Sequence, residues 1–153
     1  MPLIQGSHDG RAAIATIAIV DAAKYHEHKQ SDQSLFRGAV PFRALIDTGA
    51  TRTMIAPRVV SRLGLQQVTM LRFSGLGGTA WRPGYLFRVG FYERPPTDTT
   101  EHSRIMVLKR DIIGGELTDE QTFDVLLGMD VLTTGAFHLD KNGFEFRFGE
   151  NGS

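Results

Sequence analysis

Regular alternation of apolar side chains is the feature that most restricts how this chain can fold. Residues 85–92 carry aromatic or branched apolar side chains at every second position, and residues 144–148 carry three phenylalanines in the same way. A period of two puts successive side chains on opposite faces of a strand. Asn142 and Gly143 precede the second run, and this dipeptide favours a tight hairpin turn. The chain is therefore predicted to be built mainly from strands.

The rest of the chain predicts further strands and very little helix. Helical structure is expected from Pro57, which suits a first helical turn, to Gly64, which suits the residue after a helix end. A helical turn over residues 130–134 is the other candidate. Residues 35–46 predict a strand, a bend and a second strand. Other apolar segments predict strands and polar segments predict loops: strands at residues 12–21, 68–73, 105–108 and 123–127, and loops at residues 26–34, 93–101 and 111–122.

The length and composition restrict the number of domains and the kinds of partner that the chain can have. A chain of 153 residues with 41% hydrophobic residues suits one domain, predicted to span residues 1–153 with a core at about 12–148. Seventeen basic residues balance seventeen acidic ones, so no basic surface for nucleic acid is expected. The chain has no cysteine, which excludes disulfides, thiol catalysis and cysteine-bound metals.

No membrane anchor and no metal site are predicted. No segment approaches the roughly 18 apolar residues that a membrane helix requires. Residues 12–20 could form a signal-peptide core, but no basic cluster precedes them and their alternation suits a strand, so a cytoplasmic location is predicted. His26 and His28 are metal-binding residue types, yet no third ligand follows at a matching spacing. An exposed loop is predicted there instead.

Residues 44–51 carry the candidate chemistry. An apolar strand leads directly into Asp47, Thr48 and Gly49. Burying a carboxylate at a strand end is costly unless the carboxylate has a task there. A threonine hydroxyl can brace neighbouring backbone, and glycine permits close approaches that other residues forbid. The same tripeptide is also an ordinary turn sequence, and Asp-(Ser/Thr)-Gly arises by chance in about one chain of this length in twenty.

With its flanking residues, this segment resembles the active-site loop of the retropepsin-like aspartic proteases, the family of the retroviral enzymes and their cellular and bacterial relatives. The resemblance implies that Asp47 is catalytic and that Thr48, Gly49 and Ala50 shape and support the loop. It also implies that Thr48 contacts its counterpart in a partner subunit. The expected fold is a closed, barrel-like acid-protease half with one flap hairpin and one or two short helices.

A glycine-rich hairpin tip is the second point of resemblance. Gly75, Leu76, Gly77 and Gly78 resemble the tip of the retropepsin flap, which closes over bound peptide, and these residues are expected to bind substrate. A phosphate-binding loop is the alternative, but the run lacks the Gly-Lys-Ser/Thr ending and no helix signal follows it. Trp81 follows the tip, and packing on its own domain is favoured over contact with substrate.

The third point of resemblance is the apolar run of residues 125–128, followed by a short helix. In the family this strand packs beside the catalytic loop, which implies that Asp130 supports that loop. An alternative role for Asp130 is a helix N-cap, and both roles could hold. Arg52 stands where viral enzymes usually carry an acidic residue near the substrate. If Arg52 lines the cleft, it should favour acidic substrate side chains. The resemblance extends over about residues 36–148.

Only one Asp-(Ser/Thr)-Gly motif occurs in the sequence. Hydrolysis by this chemistry needs two carboxylates about 3 Å apart that share a proton. The sequence therefore predicts a two-fold homodimer to which each chain contributes Asp47. The expected function is an aspartic endopeptidase that acts on peptides or proteins without a cofactor. A catalytically silent, dimeric peptide-binding module of the same fold is the alternative.

Overall fold

The computed structural model describes residues 3–6, 12–75, 77–94, 104–118 and 122–148, and within these ranges strands outnumber four short helices. The mostly β fold predicted from the sequence is thereby confirmed. In chain order the elements are β1 Leu3–Gly6, β2 Ile14–Asp21, α1 Ala22–Glu27, α2 Asp32–Arg37, β3 Phe42–Ile46, β4 Met54–Ile55, α3 Pro57–Leu63, β5 Gln67–Gly75, β6 Gly78–Tyr92, β7 Ile105–Val107, β8 Ile112–Glu116, β9 Val125–Leu127, α4 Met129–Leu132, β10 Gly135–Asp140 and β11 Gly143–Phe148.

The larger sheet has the strand order β2-β3-β9-β4-β8-β6-β5, and β7 pairs with β6. Because β2 also pairs with β6, the hydrogen-bonded path returns to its first strand, which is consistent with the predicted barrel-like half. Strand β9 lies between β3 and β4, parallel to β3 and antiparallel to β4. The chain must therefore leave β3, pass the end of β9 and return on its other side as β4.

A smaller sheet of order β1-β11-β10 closes the core against the larger one. The predicted C-terminal hairpin is confirmed, and its alternating phenylalanines are buried. The ring of Phe91 in β6 lies 5.4 Å from the rings of both Phe146 and Phe148, so aromatic packing joins the two sheets. Strand β1 precedes residue 12, the lower bound predicted for the core, and its Ile4 is buried.

Helix α3 runs where Pro57 and Gly64 predict it, and Gly64 ends it with a φ of 61°. The prediction of a loop at residues 26–34 is wrong in part, because only residues 28–31 are a loop, and the prediction of a strand beginning at Leu35 is wrong. Helix α1 extends to residue 27 and α2 begins at residue 32, because Asp21 and Ser31 cap amide groups in their first turns. The chain therefore has more helices than the one or two predicted.

The prediction of a loop over residues 111–122 is also wrong in part, because β8 lies inside this range. Its two glycines are not turn residues. A Cβ atom on Gly114 would lie 2.6 Å from the ring of Phe87, and one on Gly115 would lie 2.7 Å from the ring of Phe73. Glycine is required here because aromatic rings occupy the space beside the strand.

A buried arginine ties α1 to the strands. Arg88 in β6 is 6% exposed, and its guanidinium lies 4.2 Å above the ring of Tyr25. Its Nε and Nη2 donate to Oδ1 of Asp111 at 3.0 and 2.7 Å, and its Nη1 donates to the carbonyl of Leu108 at 3.0 Å. The Nε2 atom of His26 lies 2.8 Å from the other oxygen of Asp111. Asp111 therefore links the helix to the buried cation.

The Asp111 carboxylate should make stability depend on pH. Burial acts to raise the pKa of Asp111, but hydrogen bonds from His26 and Arg88 and the charge of Arg88 outweigh it and lower the pKa. A lowered pKa in the folded state adds stability that is present above the unfolded-state pKa and lost as the pH falls through the folded-state pKa. At pH 7 we expect Asp111→Asn to lower the free energy of unfolding by about 1–3 kcal/mol.

The difference between wild type and Asp111→Asn should shrink as the pH falls below about 4, the unfolded-state value. Urea unfolding followed by circular dichroism at several pH values measures it. Glu27→Gln at the exposed end of α1 is the control and should show no such difference. A difference of the same size at pH 7 and at acidic pH would contradict the assignment.

Candidate active site

The segment between β3 and β4 holds Asp47 at the point where β3 ends. The backbone N–H of Asp47 donates to the carbonyl of Leu127 in β9 at 3.0 Å, which continues the pairing of the two strands. The amide of Ala50 closes a turn onto the carbonyl of Asp47 at 3.2 Å. The amide of Gly49 donates to Oδ1 of Asp47 at 2.9 Å. The half-buried carboxylate is thus oriented by the backbone of its own loop, while Thr48 is exposed.

The chain that follows β9 anchors the Asp47 loop through backbone hydrogen bonds. The amide of Met129 donates to the carbonyl of Ala50 at 2.8 Å, and that of Asp130 donates to the carbonyl of Thr51 at 3.2 Å. A Cβ atom on Gly128 would lie 2.6 Å from the carbonyl carbon of Arg52 and 2.9 Å from the carbonyl oxygen of Ala50. The two backbones approach so closely that only glycine fits at position 128.

Asp130 and Thr53 form the second contact beneath the loop. Both carboxylate oxygens of Asp130 accept from the amide of Thr53 at 3.0 Å, and Oδ1 also accepts from its hydroxyl at 2.7 Å. The same hydroxyl accepts from the amide of Gly128 at 3.1 Å. Asp130 therefore contacts the segment that follows the Asp47 loop. The alternative that Asp130 is the helix N-cap is wrong, because Gly128 holds that position.

Sequence reasoning missed Thr53, which is completely buried. Thr51 and Thr53 flank the same arginine, and nothing in the local pattern separates the exposed threonine from the buried one. The partner that distinguishes Thr53 is Asp130, 77 positions further along the chain. The signal therefore lies in a contact between distant segments.

A cleft of about 690 Å³ opens beside the loop. Residues 49–52 form one side, both strands of the β5–β6 hairpin form another, and the end of β8 completes it. Arg52 lines this cleft. The sequence predicts that an arginine in this place favours substrates with acidic side chains. The Asp47 carboxylate is not among the lining groups, so one chain offers a cleft next to the candidate catalytic group and not around it.

The β5–β6 hairpin is confirmed, and its strands pair up to Gly75 opposite Gly78. Gly78 has a φ of 102°, a conformation that favours glycine, and Gly77 lies exposed in the turn. Leu76, which the sequence also assigns to the tip, lies outside the described residues. Trp81 is 60% exposed, so the favoured prediction that it packs on its own domain is wrong.

The two histidines considered as metal ligands contact carboxylates of different residues. His26 is paired with Asp111, and Nε2 of His28 lies 3.1 Å from Oδ1 of Asp32. Among the residues described, no group of three or more histidine, aspartate and glutamate side chains could hold a metal ion.

No helix within the described residues is long and apolar enough to cross a membrane.

Comparison with known proteins shows the family and the fold of the chain. The family model described as aspartyl protease matches residues 34–131, a range that contains the Asp47 loop, the β5–β6 hairpin and Asp130. The chain therefore belongs to the aspartyl protease family, and the resemblance to retropepsin-like proteases is confirmed. No curated protein sequence matches the chain.

The solved structures that are similar to the chain include the following two. A retropepsin-like aspartic protease from Rickettsia conorii aligns with a TM-score of 0.54 at 13% identity, over 96% of this chain and 90% of that one. This similarity shows a shared fold. The retroviral protease-like domain of Ddi1 from Leishmania major aligns with a TM-score of 0.37 at 13% identity, over 91% of this chain and 96% of that one.

Gly128→Ala should displace the loop, because its Cβ atom would meet backbone atoms that no rotamer change can move. We expect a loss of about 1–3 kcal/mol in the free energy of unfolding, the usual range for overpacking. Gly38→Ala is the matched control, since Gly38 has a negative φ and nothing within 4 Å of a Cβ atom. Denaturant unfolding of both variants measures the effect, and equal stabilities would contradict the close packing at Gly128.

Thr53→Val keeps the shape of the side chain but removes the hydroxyl that joins Asp130 to Gly128. We expect the free energy of unfolding to fall by about 1–3 kcal/mol, because Oδ1 of Asp130 loses one of its donors and the buried Gly128 amide loses its acceptor. Thr51→Val, at the exposed neighbouring threonine, should change stability little. A Thr53→Val protein as stable as the wild type would show that these hydrogen bonds contribute nothing.

Proposed function

We propose that this chain is an aspartic endopeptidase that works as a homodimer, with Asp47 of each copy forming the catalytic pair. The observation that carries the proposal is the Asp47 carboxylate, oriented by the Gly49 amide at a strand end, in a chain of the aspartyl protease family. Thr48, Gly49 and Ala50 shape the loop, and Asp130 supports it through Thr53. The domain is proposed to span residues 1–153.

The chemistry requires a second carboxylate, and a second copy of the chain supplies it. The sequence contains no other Asp-(Ser/Thr)-Gly motif. A two-fold axis beside the loop would bring the two Asp47 side chains together and give both copies the same contact. Thr48 is exposed in the isolated chain, so its hydroxyl is available to a counterpart in the partner.

In the proposed reaction the two carboxylates share one proton. The ionised member removes a proton from a water molecule as the water oxygen forms a bond to the carbonyl carbon of the peptide. The protonated member donates a hydrogen bond to the carbonyl oxygen. The bond between carbon and nitrogen then breaks, and the nitrogen leaves with a proton from the pair. No metal or organic cofactor takes part in these steps.

The β5–β6 hairpin is proposed as the flap over bound peptide. Its strands contribute Phe73, Ala80 and Arg82 to the cleft wall, so the hairpin borders the space that an extended peptide would fill. Gly75, Gly77 and Gly78 give the tip three residues without side chains, which suits an element that moves and approaches a peptide backbone. Leu76 belongs to the proposed tip by sequence.

Asp47→Asn should abolish cleavage, because asparagine preserves shape but cannot share or transfer the proton. We expect the rate to fall by a factor of about 100 or more. Cleavage of a mixed peptide library, read by mass spectrometry from about pH 4 to 7, compares the variant with wild type. Asp32→Asn on α2 is the matched control and should remain active. Circular dichroism confirms that each variant is folded.

Mixing experiments test the dimer. Excess Asp47→Asn protein added to wild type should lower its activity, because mixed dimers contain one functional carboxylate. Wild-type activity should also fall more steeply than in proportion to concentration once dimers dissociate. A protein that is monomeric in sedimentation at the assay concentration and still cleaves would contradict the dimer. Dimers that bind peptides without cleaving them would support the silent peptide-binding module instead.

A further inference from the structure

The cleft beside the Asp47 loop is positively charged although the chain as a whole is neutral. Seventeen basic residues balance seventeen acidic ones over the sequence. The side chains that line the cleft include three arginines, Arg52, Arg72 and Arg82, and one carboxylate, Glu116. Two positive charges therefore remain uncompensated within the lining. Charge of one sign concentrated in a concave site favours ligands of the opposite sign.

Two of these arginines are fixed in place by backbone carbonyl groups. The Nη1 atom of Arg52 donates to the carbonyl of Ile113 at 3.2 Å. Arg82 donates through Nε to the carbonyl of Glu116 at 3.1 Å and through Nη2 to that of Leu117 at 3.4 Å. A guanidinium has five N–H donors, so both arginines are held with donors left over. A carbonyl group orients the cation but does not neutralise it.

Two arginines outside the cleft are neutralised by carboxylates. Arg88 pairs with Asp111 at 2.7 Å, and Arg58 pairs with Asp124 at 2.8 Å. Among the described residues no carboxylate lies within ion-pair distance of any of the three cleft arginines. The three cleft arginines therefore keep their charge unpaired on the surface that borders the candidate catalytic loop.

We propose that the cleft selects peptides with acidic side chains and that Arg52, Arg72 and Arg82 determine this specificity. The inference depends on the proposed function, since it names the substrate class of the same site. Arg52 and Arg82 are partly buried, where a carboxylate of the peptide is less screened than at an open surface. Their planar guanidinium groups match a carboxylate in shape as well as in charge.

Apolar side chains complete the cleft, so the acidic groups would be one part of a mixed recognition pattern. Phe73, Leu117 and Leu126 line the same space and suit apolar side chains of the substrate. In the proposed dimer the two-fold axis repeats the arginines in the second half of the cleft. Acidic residues are therefore expected on both sides of the cleaved bond.

The test uses binding and cleavage as separate measurements. Immobilised Asp47→Asn protein selects peptides from a random library, and wild type cleaves the same library. Both peptide sets should be enriched in aspartate and glutamate. Changing the acidic residues of the most enriched peptide to their amides should weaken its binding to the Asp47→Asn protein by a factor of about ten or more at low salt. This difference should become smaller at about 1 M salt.

Variants in the Asp47→Asn background assign the effect to the cleft. Arg52→Gln, Arg72→Gln and Arg82→Gln should each reduce the preference for the acidic peptide over its amide counterpart. Arg82→Lys should keep part of it, because the charge remains. Arg62→Gln on the exposed face of α3 removes the same charge outside the cleft and should leave the preference unchanged.

The outcomes separate the two proposals. Cleavage without enrichment of acidic residues would overturn the specificity and leave the peptidase standing. Selection of acidic peptides by a protein that never cleaves would support the specificity and overturn the peptidase. Equal binding of acidic and amide peptides, an effect of Arg62→Gln as large as that of Arg82→Gln, or no selection of any peptide would each overturn the specificity.

Discussion

The attachment of the Asp47 loop to the chain after β9 is the constraint on which the rest of the site depends. Because β9 lies between β3 and β4, the loop must pass over the end of β9, where Gly128 leaves room for its backbone. The amides of Met129 and Asp130 take up the loop carbonyls. These contacts fix the base of the loop and leave Thr48 exposed. A fixed base with an open tip can present a carboxylate to a partner without losing its orientation.

The same attachment extends to the wall of the cleft. From the loop, β4 pairs with β8 opposite Gly115, and β6 pairs with Gly115 from the other side. The ring of Phe73 in the hairpin occupies the space where Gly115 would carry a Cβ atom. Arg82 is held by carbonyl groups at the end of β8. Loop, strand and arginine thus belong to one continuous network, so the candidate catalytic group and the cleft arginine Arg82 are positioned together.

The local part of this architecture was predictable from sequence, and the long-range part was not. Alternation gave the hairpins, and Pro57 and Gly64 gave the bounds of α3, because such signals act within a few residues. The positions of the three cleft arginines were only partly predictable from the sequence. Arg52 lies five residues after Asp47, whereas Arg82 is held in the cleft by carbonyl groups 34 and 35 positions away. The sequence predicts a loop where β8 lies, because the aromatic rings that exclude side chains at its two glycines come from distant strands.

The proposed chemistry and the proposed specificity can both be placed on one two-fold axis. One chain holds an oriented carboxylate beside a cleft that does not enclose it, as the proposed dimer requires of each of its halves. Pairing two copies about an axis near Thr48 would supply the second carboxylate and join two half-clefts into one. The anionic pair would then lie at the centre, with arginines from each copy in either half. Repulsion from the central carboxylates would favour apolar side chains directly beside the cleaved bond, with the acidic side chains further along the peptide on either side.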